Sequence, residues 1–364
     1  MSQRTFRTAA IIVAASLAVI LGLGWYAYAR ARRYPVEARA GSGLQIEVEI
    51  PRNQSFPQIA KLLASKGIIS RPTWFRLYAM KRGDTTNVKA GKYLLRDNMT
   101  PKAVLNELIA GVKEVTVQVT LPEGKNMLEY FELLQDAKVA TASELEKLAR
   151  DPTFLAKYGI AGESIDGYLF PDTYDFRLNE KPSTVLARLV TKNREVWNEL
   201  AKKYNREFAK LKSELKWTDR DALIMASIVE KEAVDPEERP QIAQVFINRL
   251  TSPSFNPKKL ETDPTIRYGC IVPVKKSAGC QGWDIKDRLH RAQLDDADNQ
   301  YNTYQHEGLP PGPISNPGRG SIAAVMRPDG SDFLFFVAKD ARNHKFSKTI
   351  QEHERAVDKY IRGK

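Results

Sequence analysis

"TDRDALIMASIVEKEA" (218–233) runs from a polar start through eight mostly apolar residues to two glutamates and a lysine. Thr218 with Asp221 three residues on has the spacing of a reciprocal helix cap. Downstream, Asp235 precedes Pro236, and a residue before proline avoids the α conformation, so the helix is expected to stop near Ala233 or Val234. Pro236 then suits the first position of the next helix. Glu230 and Glu232 therefore fall in the last turn or two. At helical spacing Glu232 shares a face with Met225, Ile228 and Val229, and Glu230 with Leu223, Ala226 and Ser227. Apolar neighbours and the negative end of the helix dipole both disfavour an ionised Glu232. A carboxylic acid kept protonated near neutral pH is what general-acid chemistry requires. The competing reading is two salt-bridged glutamates at a solvated helix end, and spacing leaves both open.

Working outward, the chain reads as α+β. "RYPVEARAGSG" (33–43) has linker composition. Leu44, Ile46, Val48 and Ile50 alternate as a half-buried strand, and Ser55 is placed to cap a following helix. A second helix over "RPTWFRLYAMKRG", capped at Thr73 or an adjacent residue, a strand over 89–95 and a helix over 99–111 complete a small βααβ-type unit. A strand over 113–124, an aromatic loop over 164–176 and one or two amphipathic helices over 183–215 lead to the two-glutamate helix.

At the other end, residues 8–29 carry no charge, and "AAIIVAASLAVILGLGWYAYA" lies within them. That length suits one bilayer-spanning helix, with Trp25, Tyr26 and Tyr28 as interfacial aromatics. A cleaved signal peptide ending at the "AYA" of 27–29 is the alternative, though signal apolar regions are usually only about 7–15 residues long. Arginines flank the segment on both sides, so the positive-inside count does not orient it. The body follows the span and is expected outside the cytoplasm. Of the formal net charge of +12, five units are arginines in residues 1–33, leaving +7 for the rest. A basic body beside a membrane suits an anionic polymer or lipid surface. Nucleic acid is not expected, because no nucleic-acid motif occurs.

Cys270 and Cys280 form either a local disulfide, as an exported location favours, or two free thiols. No histidine stands near them at ligand spacing, so no metal site is expected. The absence of G-x-S-x-G, H-E-x-x-H and Walker-type patterns gives no support to serine, zinc or nucleotide chemistry, and no cofactor is expected.

An ordered set of motifs then stands out: "DGYLFPDTY" (166–174), "ASIVEKEA" (226–233), "VFINRL" (245–250), "ETDPTIRYG" (261–269), "YNTY" (301–304), "GLPPGPISNPG" (308–318) and "FLFFVAKDARNHKFSKTIQEH" (333–353). Together they resemble the YceG-like family of endolytic murein transglycosylases. The resemblance implies an N-terminal transmembrane helix with cytoplasmic tail (1–33), a linker (34–43), a LysM-like domain (44–112) and a larger mixed α/β catalytic domain (113–364). It implies non-hydrolytic cleavage of the β-1,4 bond between N-acetylmuramic acid and N-acetylglucosamine in peptidoglycan glycan strands, leaving 1,6-anhydro ends. It also implies membrane-bound peptidoglycan synthases of the elongation machinery as partners, and a single-pass inner-membrane protein with its body in the periplasm. The catalytic acid is expected at Glu232, with Glu230 as the fallback.

Tyr301, Asn302 and Tyr304 offer groups suited to a sugar, or else a hydrogen-bonded turn. Asn248 and Arg249 are candidates for orienting the acid or holding a substrate carboxylate, with a helix-end ion pair as the alternative for Arg249. Asp263 reads equally as a turn cap or a ligand, and no chemistry is assigned to any histidine. Two other readings stand beside the lyase: a non-catalytic peptidoglycan tether and a muramidase-type hydrolase.

Overall fold

The computed structural model describes residues 3–112 and 116–363, with side chains from residue 16 onward. It divides into two compact units, residues 1–114 and 115–364. The first opens with helix α1 (Gln3–Arg33). Among the described residues no helix is long and apolar enough to cross a membrane. The span expected over 8–29 is thus not recovered. Its first part, 8–15, lies outside the residues whose side chains are described, and the remaining 16–29 falls short of the roughly 20 residues a bilayer needs. Leu17, Val19, Ile20, Leu21, Leu23 and Trp25 in α1 are nonetheless all more than half exposed.

In the same unit β1 (Gln45–Ile50) pairs antiparallel with β2 (Gly91–Arg96), Val48 standing opposite Tyr93. Between them run α2 (Phe56–Ser65) and α3 (Pro72–Arg82), and α4 (Pro101–Ala110) follows β2. The Gln58 side chain accepts from the Ser55 backbone N–H at 3.0 Å at the start of α2. The helix expected to start at or beside Thr73 has Arg71 as its N-cap, because Pro72 takes the first helical position. Part of the expected linker is built into this unit. Tyr34 is buried and donates from its hydroxyl to the Arg71 carbonyl, and Asp97 accepts from the Ser42 and Gly43 backbone N–H groups.

The second unit is mixed α/β, with small two-stranded sheets among many helices. Of the strand expected over 113–124, residues 113–115 lie outside the described residues. The described part is β3 (Thr116–Thr120), paired antiparallel with β4 (Thr173–Arg177). The expected aromatic loop therefore ends as a strand, because Tyr174 and Phe176 alternate inward against Val119 and Val117. Helices α5 (Met127–Asp136), α6 (Ala142–Ala149) and α7 (Pro152–Lys157) lie between these strands. The amphipathic run resolves into α8 (Pro182–Lys203) and α9 (Asn205–Leu215).

Helix α10 (Asp219–Glu232) is the structural centre. Thr218 Oγ1 accepts from the Asp221 N–H, and Asp221 Oδ2 accepts from the Thr218 N–H at 2.8 Å. Such a cap contributes about 1 kcal/mol. α10 packs against α11 (Arg239–Thr251), α12 (Asp263–Ile271) and α14 (Arg319–Met326), with short α13 (Arg291–Leu294) before α14. Surrounded on several sides, every residue from Ala222 to Val229 is buried. The Pro/Gly-rich loop 308–318 closes over it: Ile314 N–H donates to Ser227 Oγ at 2.9 Å and Ser315 Oγ to the Ser227 carbonyl at 3.0 Å. The chain ends with β5 (Phe335–Ala338), β6 (His344–Ser347) and α15 (Ile350–Val357).

Candidate active site

The burial of α10 on every side from Ala222 to Val229 removes one ground for preferring Glu232. Met225, Ile228 and Val229 are buried, but so are Leu223, Ala226 and Ser227, so the two faces do not differ in polarity as the sequence suggests. What separates the glutamates is their partners from elsewhere in the chain. Glu230, with only 5% of its side chain exposed, pairs with Arg239 at 3.3 Å. Its other oxygen accepts the Gly318 N–H at 3.0 Å. Glu123 shares the same arginine. A β-carbon at Gly318 would sit 1.9 Å from Glu123 Oε1, so a side chain there would require the Glu123 carboxylate to move. Burial, then the Glu230 charge, raises the Glu123 pKa, and Arg239 opposes both. In this corner one guanidinium is shared between two carboxylates.

Glu232, the last residue of α10, has no cation in direct contact among the described residues. Thr262 Oγ1 donates to Glu232 Oε1 in a short hydrogen bond. Burial raises the Glu232 pKa above the ordinary carboxylate value. The Thr262 bond lowers it, the Asp263 charge raises it further, and His344 and Arg249 oppose from a distance. Glu232 is half-buried, so the residue keeps some access to solvent. A carboxylic acid of this kind is equipped to give up a proton and take one back.

Its support is a ladder of hydroxyls. Thr262 and Thr303 are both buried. Thr303 Oγ1 accepts from the Thr262 N–H at 3.1 Å and lies 2.9 Å from Thr265 Oγ1, which donates to the Thr262 carbonyl at 2.6 Å. Just before it, Glu261 adopts φ 55°, a left-handed conformation that costs a non-glycine residue about 1–2 kcal/mol. Its N–H is held by the Thr303 carbonyl at 3.2 Å. Backbone strain of this kind tends to collect at functional sites. Beside Thr262, exposed Asp263 accepts the Tyr304 hydroxyl at 2.9 Å.

The other expected site residues divide. Tyr304 joins the acid's surroundings, and burial, followed by the charge of Asp263, raises its pKa. Arg249 is also near Glu232, but neither expected role matches its contacts. It is 7% exposed, donates to the Leu334 and Leu260 carbonyls and lies against Phe246, Phe255 and Phe335. Burial lowers its pKa. Asn248 holds a loop: its amide donates to the Ser331 and Phe333 carbonyls and its oxygen accepts from Gln244. Asn302, fully buried, donates to the carbonyls of Gln293, Leu294 and Asp296 and accepts the Tyr304 N–H. These two amides shape loops and have no donor left for a sugar.

Tyr301 points elsewhere. It packs on Tyr268, ring centroids 4.8 Å apart, on the wall of a cavity of about 760 Å³ that Glu232 does not line. Burial pushes its pKa up to about 12. Tyr268 donates at 3.0 Å to Asp166, a fully buried carboxyl that burial pushes up to about 7. Cys270 and Cys280 are joined by a disulfide, and the Asn299 amide lies 3.8 Å from each sulfur. Among the histidines, His344 bonds to Glu238 through Nδ1 at 2.7 Å. No local sequence signal marks Thr262, Thr303 or this pair, since their contacts join distant segments.

A half-buried glutamate with a hydroxyl donor and an exposed carboxylate nearby is an arrangement suited to proton transfer. The YceG-like family model matches residues 48–359, and this chain belongs to the YceG-like family. An endolytic murein transglycosylase of Bacillus subtilis (strain 168) is 31% identical over 360 residues, covering 95% of this chain and 92% of that one. One of Streptococcus pneumoniae serotype 2 (strain D39 / NCTC 7466) is 29% identical over 374 residues, covering 96% of this chain and 64% of its own. A crystal structure of a YceG-like protein from Listeria monocytogenes superposes with a TM-score of 0.53 and 29% identity, covering 86% of this chain and 99% of that one.

Proposed function

We propose that this chain is an endolytic peptidoglycan lytic transglycosylase with Glu232 as its single acid and base. The observation that carries the reading is the contrast within α10: Glu230 is paired with Arg239, whereas Glu232 is half-buried, raised in pKa and bonded to a neutral hydroxyl. The curated relatives named endolytic murein transglycosylase supply the substrate class. Glu232 protonates the glycosidic oxygen between N-acetylmuramic acid and N-acetylglucosamine. Its carboxylate then accepts the proton of the muramic acid C6 hydroxyl as that oxygen closes onto the anomeric carbon. Water takes no part, so the products end in 1,6-anhydro rings. Tyr304 borders this site, Arg249 biases the acid electrostatically, and Tyr301 belongs to a neighbouring wall.

The same reading places residues 8–29 in the membrane as an anchor, with the body outside the cytoplasm. It is supported by the uncharged run and by the unpartnered apolar residues of α1. Residues 44–112 serve as the LysM-like unit, supported by the β1–α2–α3–β2 order. Membrane-bound peptidoglycan synthases are the partners that would supply new strands.

The test is product analysis. Full-length wild type, Glu232→Gln and Glu230→Gln are incubated in detergent with uncrosslinked glycan strands and read by mass spectrometry. Anhydro ends that vanish only in Glu232→Gln support the reading. Their loss only in Glu230→Gln moves the acid. Water-added ends mean a hydrolase, and uncut strands that bind all three proteins mean a tether.

A further inference from the structure

The site holds a second carboxylate. We infer that Asp263, fixed by Tyr304, is an electrostatic partner of Glu232, placed to stabilise the positive charge that grows on the sugar ring as the glycosidic bond breaks. The inference rests on the reading of Glu232 as the acid.

Three observations carry it. Asp263 directly follows Thr262, whose hydroxyl is bonded to Glu232, so the backbone that aims the donor also delivers the carboxylate. One oxygen of Asp263 accepts from Tyr304 at 2.9 Å, while the other has no partner among the described residues. Lastly, Asp263 is exposed whereas Glu232 is half-buried. Two carboxyls in such different surroundings suit different roles, one proton transfer and the other electrostatic support. The left-handed Glu261 just before them is the strained residue that sets this turn.

The chemistry balances without Asp263 exchanging anything. The C1–O4 bond breaks and its electron pair stays on O4, which takes the Glu232 proton. A lone pair of O6 forms the C1–O6 bond, and the O6 proton passes to Glu232. Between these events the ring carries positive charge, and a fixed carboxylate nearby lowers its energy. The same charge disfavours the Glu232 anion, which strengthens it as the base for O6–H. Around Glu232 the charged or titratable groups are Asp263, Tyr304, Arg249 with its neighbour Glu261, and His344 with its partner Glu238.

Asp263 also begins α12, where a carboxylate suits the helix dipole, so the test must separate that role. Full-length wild type, Asp263→Asn and Tyr304→Phe are compared for release of anhydro ends against pH. Asp263→Asn is expected to lower kcat by about 10²–10³-fold with KM changed by less than about threefold. Its alkaline limb should move to lower pH, because a charge that raises the Glu232 pKa has gone. Tyr304→Phe keeps that charge and is expected to keep the limb in place, with a loss of about tenfold or less. Activity of Asp263→Asn within about threefold of wild type overturns the inference. So does a loss with an unmoved limb, which is the signature of a helix-start role. If Asp263→Asn does not fold, Asp263→Glu replaces it. Lower kcat with an unmoved limb supports the assignment, and unchanged kcat overturns it. Water-added ends from wild type overturn the lyase reading alone, and the limb shift measured on those products still decides Asp263.

Discussion

Two corners of the second unit lie two residues apart on one helix and treat their carboxylates oppositely. At Glu230 the charge meets Arg239 and a backbone N–H, and Glu123 crowds in to share the cation. At Glu232 the carboxyl meets a threonine hydroxyl, with Asp263 nearby. A buried carboxylate that finds a cation becomes part of the framework. One left with neutral donors beside a second negative charge is held ready to exchange a proton.

The sharpest way to break this comparison is to remove one charge at a time. Glu232→Gln keeps an acceptor for Thr262 and is expected to lower the cleavage rate by about 10²–10⁴-fold, with the urea unfolding midpoint almost unchanged. Glu230→Gln is expected to do the reverse, costing about 1–3 kcal/mol of stability because Arg239 loses a buried partner. If both variants lose rate equally with no change in stability, the two corners are not distinct.

A third carboxyl sharpens the rule about partner type. Asp166 accepts from the Met127 N–H, the Asn316 amide and the Tyr268 hydroxyl. Burial pushes it up to about 7. The folded protein therefore holds this proton more tightly than the unfolded chain, so its stabilising contribution is full below about pH 4 and is lost as pH rises to about 7. Stability measured across that window should slope less in Asp166→Asn than in wild type. An equal slope would show that Asp166 does not titrate there. The smallest effect belongs to Lys231, between the two corners, which reaches the Gly124 carbonyl at 3.1 Å from an exposed position. Lys231→Ala should change stability by less than about 0.5 kcal/mol and leave the pH profile in place.

Much of this was legible locally. The cap at Thr218, the helix end before Asp235–Pro236 and the inward alternation of β1 are short-range signals written in neighbouring residues. The character of the site was not. Helical spacing compares only residues of one helix, whereas α10 is enclosed by α11, α12, α14 and the loop 308–318. Polar residues drew attention by type, yet Asn248 and Asn302 spend their amides on carbonyls of other segments. Thr262 and Thr303 were passed over because a threonine beside a turn carries no signal until its partner is known.

The groups around Glu232 come from residues 232, 249, 262, 263 and 304, and from the Glu238–His344 pair. A ribosome making this chain has emitted the acid long before the last of those neighbours. The growing polypeptide therefore holds a glutamate but not yet the full site, which is completed only when distant segments meet. On the proposed reading, cleavage waits on the finished fold, because segments far apart in the chain must first meet around Glu232.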